Sequence, residues 1–253
     1  MQDPTQRFTS RVENYVKYRP HYPRQLLEVL RDECGLTPGW TVADIGSGTG
    51  ISSELFLQHG NRVYAVEPNA AMREAAEALL SVFSSFISID GTAEATTLPA
   101  ACAELVVAGQ AFHWFDREQA RREFRRILKP AGWVALFWNE RRTGGTPFME
   151  AYEQLLRTYA PEYLQVSHRN IGEAELAAFF TPNAYHARGC ENVQRLDLAG
   201  VQGRLLSSSY TPSAGHPQHE PMLAELARIF AQCEVQGQVD FIYDTTLYFG
   251  QWR

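Results

Sequence analysis

The residues whose types and spacing suggest chemistry begin at Asp44. In Val42-Ala43-Asp44-Ile45-Gly46-Ser47-Gly48-Thr49-Gly50 a short apolar run gives way to alternating glycines and then to a helical pattern. A strand that turns straight into a helix is where an open α/β sheet receives a ligand. Gly46 and Gly48 permit a tight turn and close approach of a ligand to the backbone, and the N–H groups that open the next helix favour a negative group. Glu67 follows Gly46 by 21 residues, at the end of Tyr64-Ala65-Val66-Glu67. A carboxylate there can accept from both hydroxyls of an adenosine ribose, so turn and acid together read as a site for an adenosyl ligand. The dinucleotide fingerprint asks for glycine at 51, where this chain has Ile51, and Gly50 comes one residue early, which weakens a nicotinamide reading.

A second group leaves the expected fourth strand at the same edge: Gln110, Ala111, Phe112, His113 and Trp114. An imidazole titrates near about 6.5, so His113 could take a proton from a hydroxyl acceptor or orient a carboxylate; a histidine between aromatics equally fits a packed wall. Arg141 and Arg142, just past the fifth strand, could receive an anionic acceptor, and Ser207, Ser208, Ser209 and Tyr210 could line its cavity or cap a helix.

The elements that must position these residues alternate. Short β-branched or apolar runs at 41–45, 62–66, 86–90, 104–108 and 133–138 are interleaved with helical stretches such as 69–80 and 117–128, the pattern of a parallel sheet covered on both faces. Runs at 193–198 and 241–248 complete seven strands and fit an antiparallel closure of the sheet edge. Residues 23–34 read as a helix opened by Pro23, and 8–18 as an aromatic-rich one. The expectation is a single α/β domain over 1–253 with a helical cap at 1–35 and lid segments at 141–192 and 200–238.

Composition narrows the function classes. With 23 Lys plus Arg against 29 Asp plus Glu and 45% hydrophobic residues, the chain is an ordinary globular protein of net charge −6, ill-suited to non-specific nucleic-acid binding. The basic run Arg121, Arg122, Arg125, Arg126 and Lys129 is offset by Glu118 and Glu123 and reads as a solvated helix face. No apolar run approaches the roughly 18 residues of a membrane span, and the first residues lack the apolar core of a signal peptide, so no membrane partner and a cytoplasmic location are expected. Cys34, Cys102, Cys190 and Cys233 have no ligand spacing, and His216 and His219 have no acidic or sulfur partners at ligand spacing, so no metal is expected.

Taken together, the motifs resemble those of class I S-adenosylmethionine (SAM)-dependent methyltransferases of the type 11, small-molecule group, over nearly the whole chain. The resemblance rests on Asp44 to Gly50, Val66-Glu67-Pro68, Asp90-Gly91-Thr92-Ala93-Glu94, Gly109 to Phe115, and Lys129-Pro130-Ala131-Gly132, where Ala131 replaces a glycine. Tyr15 to Pro23 and His113-Trp114-Phe115-Asp116 look like a narrower subgroup that includes trans-aconitate and cantharidin-resistance type methyltransferases. The resemblance implies a Rossmann-like fold, SAM as cofactor, S-adenosylhomocysteine (SAH) as product and a small-molecule acceptor, a carboxylate or hydroxyl. It implies that Asp44 and the backbone through Gly46, Ser47, Gly48 and Gly50 hold the methionine end, Asp44 taking the amino group. It also assigns Glu67 and Pro68 to the ribose, and Met72, Asp90, Thr92, Ala93 and Glu94 to the adenine. Tyr18 and Arg19 of a cap would meet the cofactor carboxylate, with Gln110 on the cofactor side. Phe112, His113, Trp114, Arg141 and Tyr210 would face the acceptor, and His113 is the candidate base. Methyl transfer from a sulfonium is an in-line displacement, for which correct positioning supplies up to about 7–11 kcal/mol. A non-catalytic SAM-binding protein on the same fold would keep Asp44, the glycines and Glu67 as well.

Overall fold

The computed structural model describes residues 17–163, 172–208 and 210–252. Most of the helix expected over 8–18, the first part of the expected cap, residues 164–171 of the expected lid and Ser209 lie outside the described residues.

Seven strands form one sheet in the order β3-β2-β1-β4-β5-β7-β6. They are β1 (Thr41–Ile45), β2 (Arg62–Val66), β3 (Phe86–Ile89), β4 (Ala103–Gly109), β5 (Leu128–Arg141), β6 (His186–Leu196) and β7 (Val239–Gln251). β1 pairs in parallel with β2 and β4, β2 with β3, and β4 with β5, whereas β7 runs antiparallel to both β5 and β6. Seven mostly parallel strands with a reversed last strand agree with the expected fold.

Period-two alternation sorts the strand residues between two faces. Ala43, Ile45, Val106 and Leu136 pack with α4 (Arg117–Ile127) and α6 (Glu173–Phe180), while Val42, Val63, Val107 and Phe137 pack with α1 (Gln25–Val29) and α2 (Ile51–His59). Fully burying a side chain such as Phe56 or Phe124 is worth about 1.5–3 kcal/mol, which is what holds both helical layers on the sheet. α3 (Ala70–Leu80) starts at Asn69, whose side chain accepts from the Met72 N–H, and α4 starts at Asp116, which accepts from Gln119.

A third core lies beyond the C-terminal edge of the parallel strands. Leu196 of β6 and Val239, Phe241 and Tyr243 of β7 carry α5 (Pro147–Tyr159), α7 (Leu198–Leu206) and α8 (His219–Cys233), joined by Tyr152, Leu156, Leu205 and Leu226. The helices of this layer come mostly from the stretches over which lid segments are expected, with different limits. The sixth strand begins at His186 instead of 193, so 186–192 belong to the sheet, and α7 begins at Leu198. His186–Leu196 is an edge strand whose first residues are exposed on both faces, so its backbone pairing with β7 leaves no hydrophobic alternation to read. β5 likewise begins at Leu128, five residues before the expected 133, with a shift in register between Ala103 and Leu105. Inside that stretch Ala131 has φ +61°, the left-handed conformation suited to the glycine it replaces in the resembling motif.

Candidate active site

The glycine turn is held down by the strand beside it. Gly46 and Ser47 donate their N–H groups to Val66 O at 2.8 and 3.1 Å, and Gly48 donates to Glu67 Oε2 at 2.9 Å. Gly46, Gly48 and Gly50 all have positive φ, and a Cβ on Gly46 would stand 2.6 Å from that of Ala111, so the turn can lie against the 110–115 loop only with glycine there. The N–H groups of Gly46, Ser47 and Gly48 are therefore engaged within the protein.

Period-two alternation turns Asp44 toward α2, where it is fully buried. Its Oδ2 accepts from Ser52 Oγ at 2.7 Å and Ser53 Oγ at 2.6 Å, while Oδ1 has no hydrogen-bond partner among the described residues. Burial raises the Asp44 pKa to about 6; the two serine hydroxyls oppose the rise and Glu67 adds to it. Thr49 Oγ1, at the same turn, is also buried without a partner. Buried polar atoms are normally paired, so an acceptor left open beneath a ligand turn fits a ligand that brings a donor. Glu67, 9% exposed, accepts from Gly48 and, through Oε1, from Asn69 N–H at 2.9 Å. Burial raises its pKa too, against these two N–H groups and the nearby Arg73.

Above the turn opens a cleft that is partly open to solvent. Its walls are Gly46 to Thr49, Ile51, Ser52, Gly109 and Gln110 on one side, and Arg19, Pro20, Tyr22, Asn139, Arg204 and Tyr243 on the other. Gln110 holds φ +57° with its N–H on Phe137 O and its Nε2 on Asn139 O at 3.1 Å, a strained backbone at the ligand edge of the sheet. Residues 18–22 form a strap across that edge. Tyr18 O accepts from Gln194, His21 O from Asn139 and Asn192, and Arg19 Nη2 donates to Ser207 O at 3.1 Å. The Tyr18 ring lies so close to α7 that a Cβ on Gly203 would meet it at 2.1 Å, and Tyr22 packs edge-on to Phe137 at 4.6 Å.

The expected site residues divide. Arg19, Asp44, Gly46, Ser47, Gly48, Glu67 and Gln110 come together at the cleft or directly beneath its turn, and Met72 packs its sulfur 3.5 Å from where a Gly48 Cβ would be. Gly50 and Pro68 serve the same turn and the start of α3 as backbone, Pro68 O accepting from Arg73. Asp90 is exposed and paired with Arg73 at 3.0 Å, Thr92 closes its own turn onto Glu94 and Ala95, Ala93 is in the core, and Glu94 accepts from Asp116 N–H. Phe112 is not a cleft wall: it is fully buried against Phe179 at 4.5 Å and Phe115 at 6.0 Å. His113 and Trp114 lie in a 3₁₀ turn with rings 4.7 Å apart and are not among the lining residues of the cleft. Arg141 is committed to Glu153 at 2.5 Å and to Tyr163 OH at 2.8 Å in the lid core, and Tyr210 packs on Tyr163 at 5.2 Å. Tyr18 reaches the site only through the strap.

Sequence reasoning missed Tyr22, Asn139, Arg204 and Tyr243. Arg204 shares a helical face with Val201 and Leu205, and a lone arginine on an apolar face was the available signal. It is 6% exposed, donates to Tyr243 OH at 2.9 Å and to Ser208 Oγ at 3.1 Å, and lies over the Phe241 ring at 5.5 Å. Burial opposes its charge, yet the phenols of Tyr243, Tyr152 and Tyr210 leave its pKa above the ordinary arginine value. No Asp, Glu, His, Lys or Cys lines the cleft among the described residues, and these residues offer no cluster that could hold a metal ion and no helix long and apolar enough to cross a membrane.

Residues 43–136 match a family model described as a methyltransferase domain. An uncharacterized methyltransferase of Schizosaccharomyces pombe is 33% identical over 153 residues, 59% of this chain and 58% of its own length. An uncharacterized methyltransferase of Mycobacterium tuberculosis is 32% identical over 134 residues, 53% of this chain and 52% of its own. The chain thus spans between half and three fifths of the length of these relatives. In fold it is similar to a structure from Anaeromyxobacter dehalogenans described as a type II methyltransferase, with a TM-score of 0.67 at 23% identity over 92% of this chain and 98% of that one. It is also similar to a SAM-dependent methyltransferase from Aquifex aeolicus, with a TM-score of 0.53 at 17% identity over 73% and 92%. The matched segment holds Asp44, the glycines, Glu67 and Gln110; Arg19, Tyr22, Asn139, Arg204 and Tyr243 lie outside it.

Proposed function

We propose that this chain, whose residues 43–136 match the family model of a methyltransferase domain, is a type 11 methyltransferase that transfers a methyl group from SAM to a small-molecule acceptor. The observation that carries the reading is the open Oδ1 of fully buried Asp44 beneath the glycine turn. A ligand ammonium supplies the donor and the charge that this oxygen lacks. Glu67 keeps a second lone pair on each oxygen beyond the bonds from Gly48 and Asn69, enough for two ribose hydroxyls.

SAM, when bound, would supply a methyl carbon made electrophilic by its sulfonium. The chain's own part is to hold and to exclude. Asp44 takes the ammonium, Glu67 the ribose, Met72 packs against the turn, and Arg19 receives the cofactor carboxylate. The strap residues Pro20 and Tyr22 narrow the cleft and shed water from it. A hydroxyl acceptor would need a base, and the cleft wall carries none among the described residues; an acceptor oxygen that arrives ionised needs none. The reading therefore favours a carboxylate over a hydroxyl and leaves His113 out of the proton path.

Mass spectrometry of the denatured, freshly purified protein is expected to find SAM or SAH. SAH at a hundred times its dissociation constant is expected to stabilise the fold by about 2.7 kcal/mol, and NAD not at all. Well-folded protein that carries no adenosyl ligand and shows no shift with SAH or SAM would refute the proposal.

A further inference from the structure

Two arginines are buried in the lid, and the protein treats them differently. Arg141 of β5 has Glu153 at 2.5 Å, with Tyr163 OH beside it. Arg204 of α7 is the more deeply buried of the two, yet its hydrogen-bond acceptors are the Tyr243 phenol and the hydroxyls of Ser207 and Ser208, all neutral. No carboxylate pairs with it among the described residues. Taking a guanidinium out of water without an anion is costly, and neutral hydroxyls offset only part of that cost. Arg204 also borders the cleft. A cation kept buried, caged by neutral donors and acceptors and open to a ligand site, is an arrangement that an incoming anion completes.

Position within the sheet says which anion. The acids of the cofactor end stand on β1 and just past β2, whereas Arg204 is tied to Tyr243 of β7. β4 and β5 lie between β1 and β7, so the two ends are roughly 14 Å apart at about 4.8 Å per strand. Arg19, on the strap, already offers a guanidinium for the cofactor carboxylate. We infer that Arg204 is the specificity residue of the acceptor half of the cleft, binding an anionic group of the acceptor, a carboxylate or a phosphate, through a guanidinium caged by Tyr243, Ser207 and Ser208. The inference rests on the methyltransferase reading for the word acceptor, and on the geometry alone for the anion.

The test uses the full chain, with and without saturating SAH, and reads melting and calorimetric titration with acetate, succinate, benzoate and inorganic phosphate, each carboxylate set against its amide. Wild type is expected to bind at least one anion saturably and the matching amide at least tenfold more weakly, with the ranking of carboxylates against phosphate naming the group. Arg204→Met is expected to lose at least tenfold in affinity for that anion, to melt no lower than wild type in its absence, and to bind SAH within twofold of wild type. Arg204→Lys restores part of the anion affinity. Equal binding of anion and amide by wild type, an undiminished anion response in Arg204→Met, or a loss of SAH affinity as large as the loss of anion affinity would each overturn the inference, the last by assigning Arg204 to the cofactor's own carboxylate. Failure of wild type to bind SAH would remove the methyltransferase reading instead, while the SAH-free titration still decides whether Arg204 holds an anion.

Discussion

On the β1 side of the cleft a buried acid, Asp44, keeps one oxygen open; on the β7 side a buried base, Arg204, keeps company only with phenol and hydroxyl. Among the described residues neither is neutralised by a protein counter-charge, although the same fold neutralises Arg141 with Glu153. The difference separates charges that hold the lid together from charges held ready for something else. The two sides also differ in manufacture. The β1 side is one contiguous turn plus one residue at the next strand end, while the β7 side is assembled from the strap, β5, α7 and β7, elements far apart in sequence.

The sharpest way to break this comparison is to remove both lid arginines in turn. Arg141→Met leaves Glu153, itself nearly buried, without its main cation, and breaking such a pair costs about 3 kcal/mol, at the low end here because Tyr163 and Arg157 still serve Glu153. For a chain of this size that lowers the melting temperature by about 6–12 °C. Arg204→Met leaves no buried carboxylate behind and is expected to melt at or above wild type. Equal losses in the two variants would show that Arg204 is as structural as Arg141, and the distinction would fall.

The β1 side is tested by Glu67→Ala. Loss of a charged acceptor costs about 1.5–3 kcal/mol, so SAH affinity measured by calorimetry is expected to fall at least tenfold. Because Glu67 also fastens Gly48 and Asn69, the turn should loosen at the same time. The titration is therefore read beside a melting curve: a variant that melts lower yet binds SAH as well as wild type would take the ribose role away from Glu67.

The same contrast explains what was legible in the sequence. The placement of Asp44, the glycines and Glu67 could be read because it is local: a tight turn demands glycine, and a strand end fixes where the next acid stands. Phe112 misled because a residue leaving a strand at the ligand edge can turn inward as easily as outward, and here it fills the space against Phe179. Arg141 and Arg204 could not be told apart from spacing, since what separates them is whether α5 delivers a carboxylate, and that is decided by packing around Tyr152 and Phe241. The edge strand over 186–192 was invisible for a related reason: its stability comes from backbone pairing with β7, to which exposed polar side chains give no clue.

The smallest effect, and the most specific to the open oxygen of Asp44, is a pH dependence. Burial holds its pKa at about 6 instead of near 3.8, so the folded, ligand-free protein takes up a proton that the unfolded chain has lost between those values. Its contribution to stability therefore falls as pH rises through that window, and above about 6 the protein carries a buried anion whose Oδ1 is unpartnered. A ligand ammonium prefers that anion, so SAH affinity should rise with pH up to about 6, approaching tenfold per unit on the acid side, and flatten above it. Asp44→Asn retains an acceptor for Ser52 and Ser53 but has no proton to release, and its weaker SAH affinity is expected to be flat from pH 5 to 8. Glu67, whose pKa burial also raises, and Glu123, which Arg126 holds at about 2, are common to both proteins, so the difference between wild type and variant isolates Asp44. A wild-type profile as flat as that of the variant would mean that the ammonium is held elsewhere, and the β1 side of the cleft would lose its open charge.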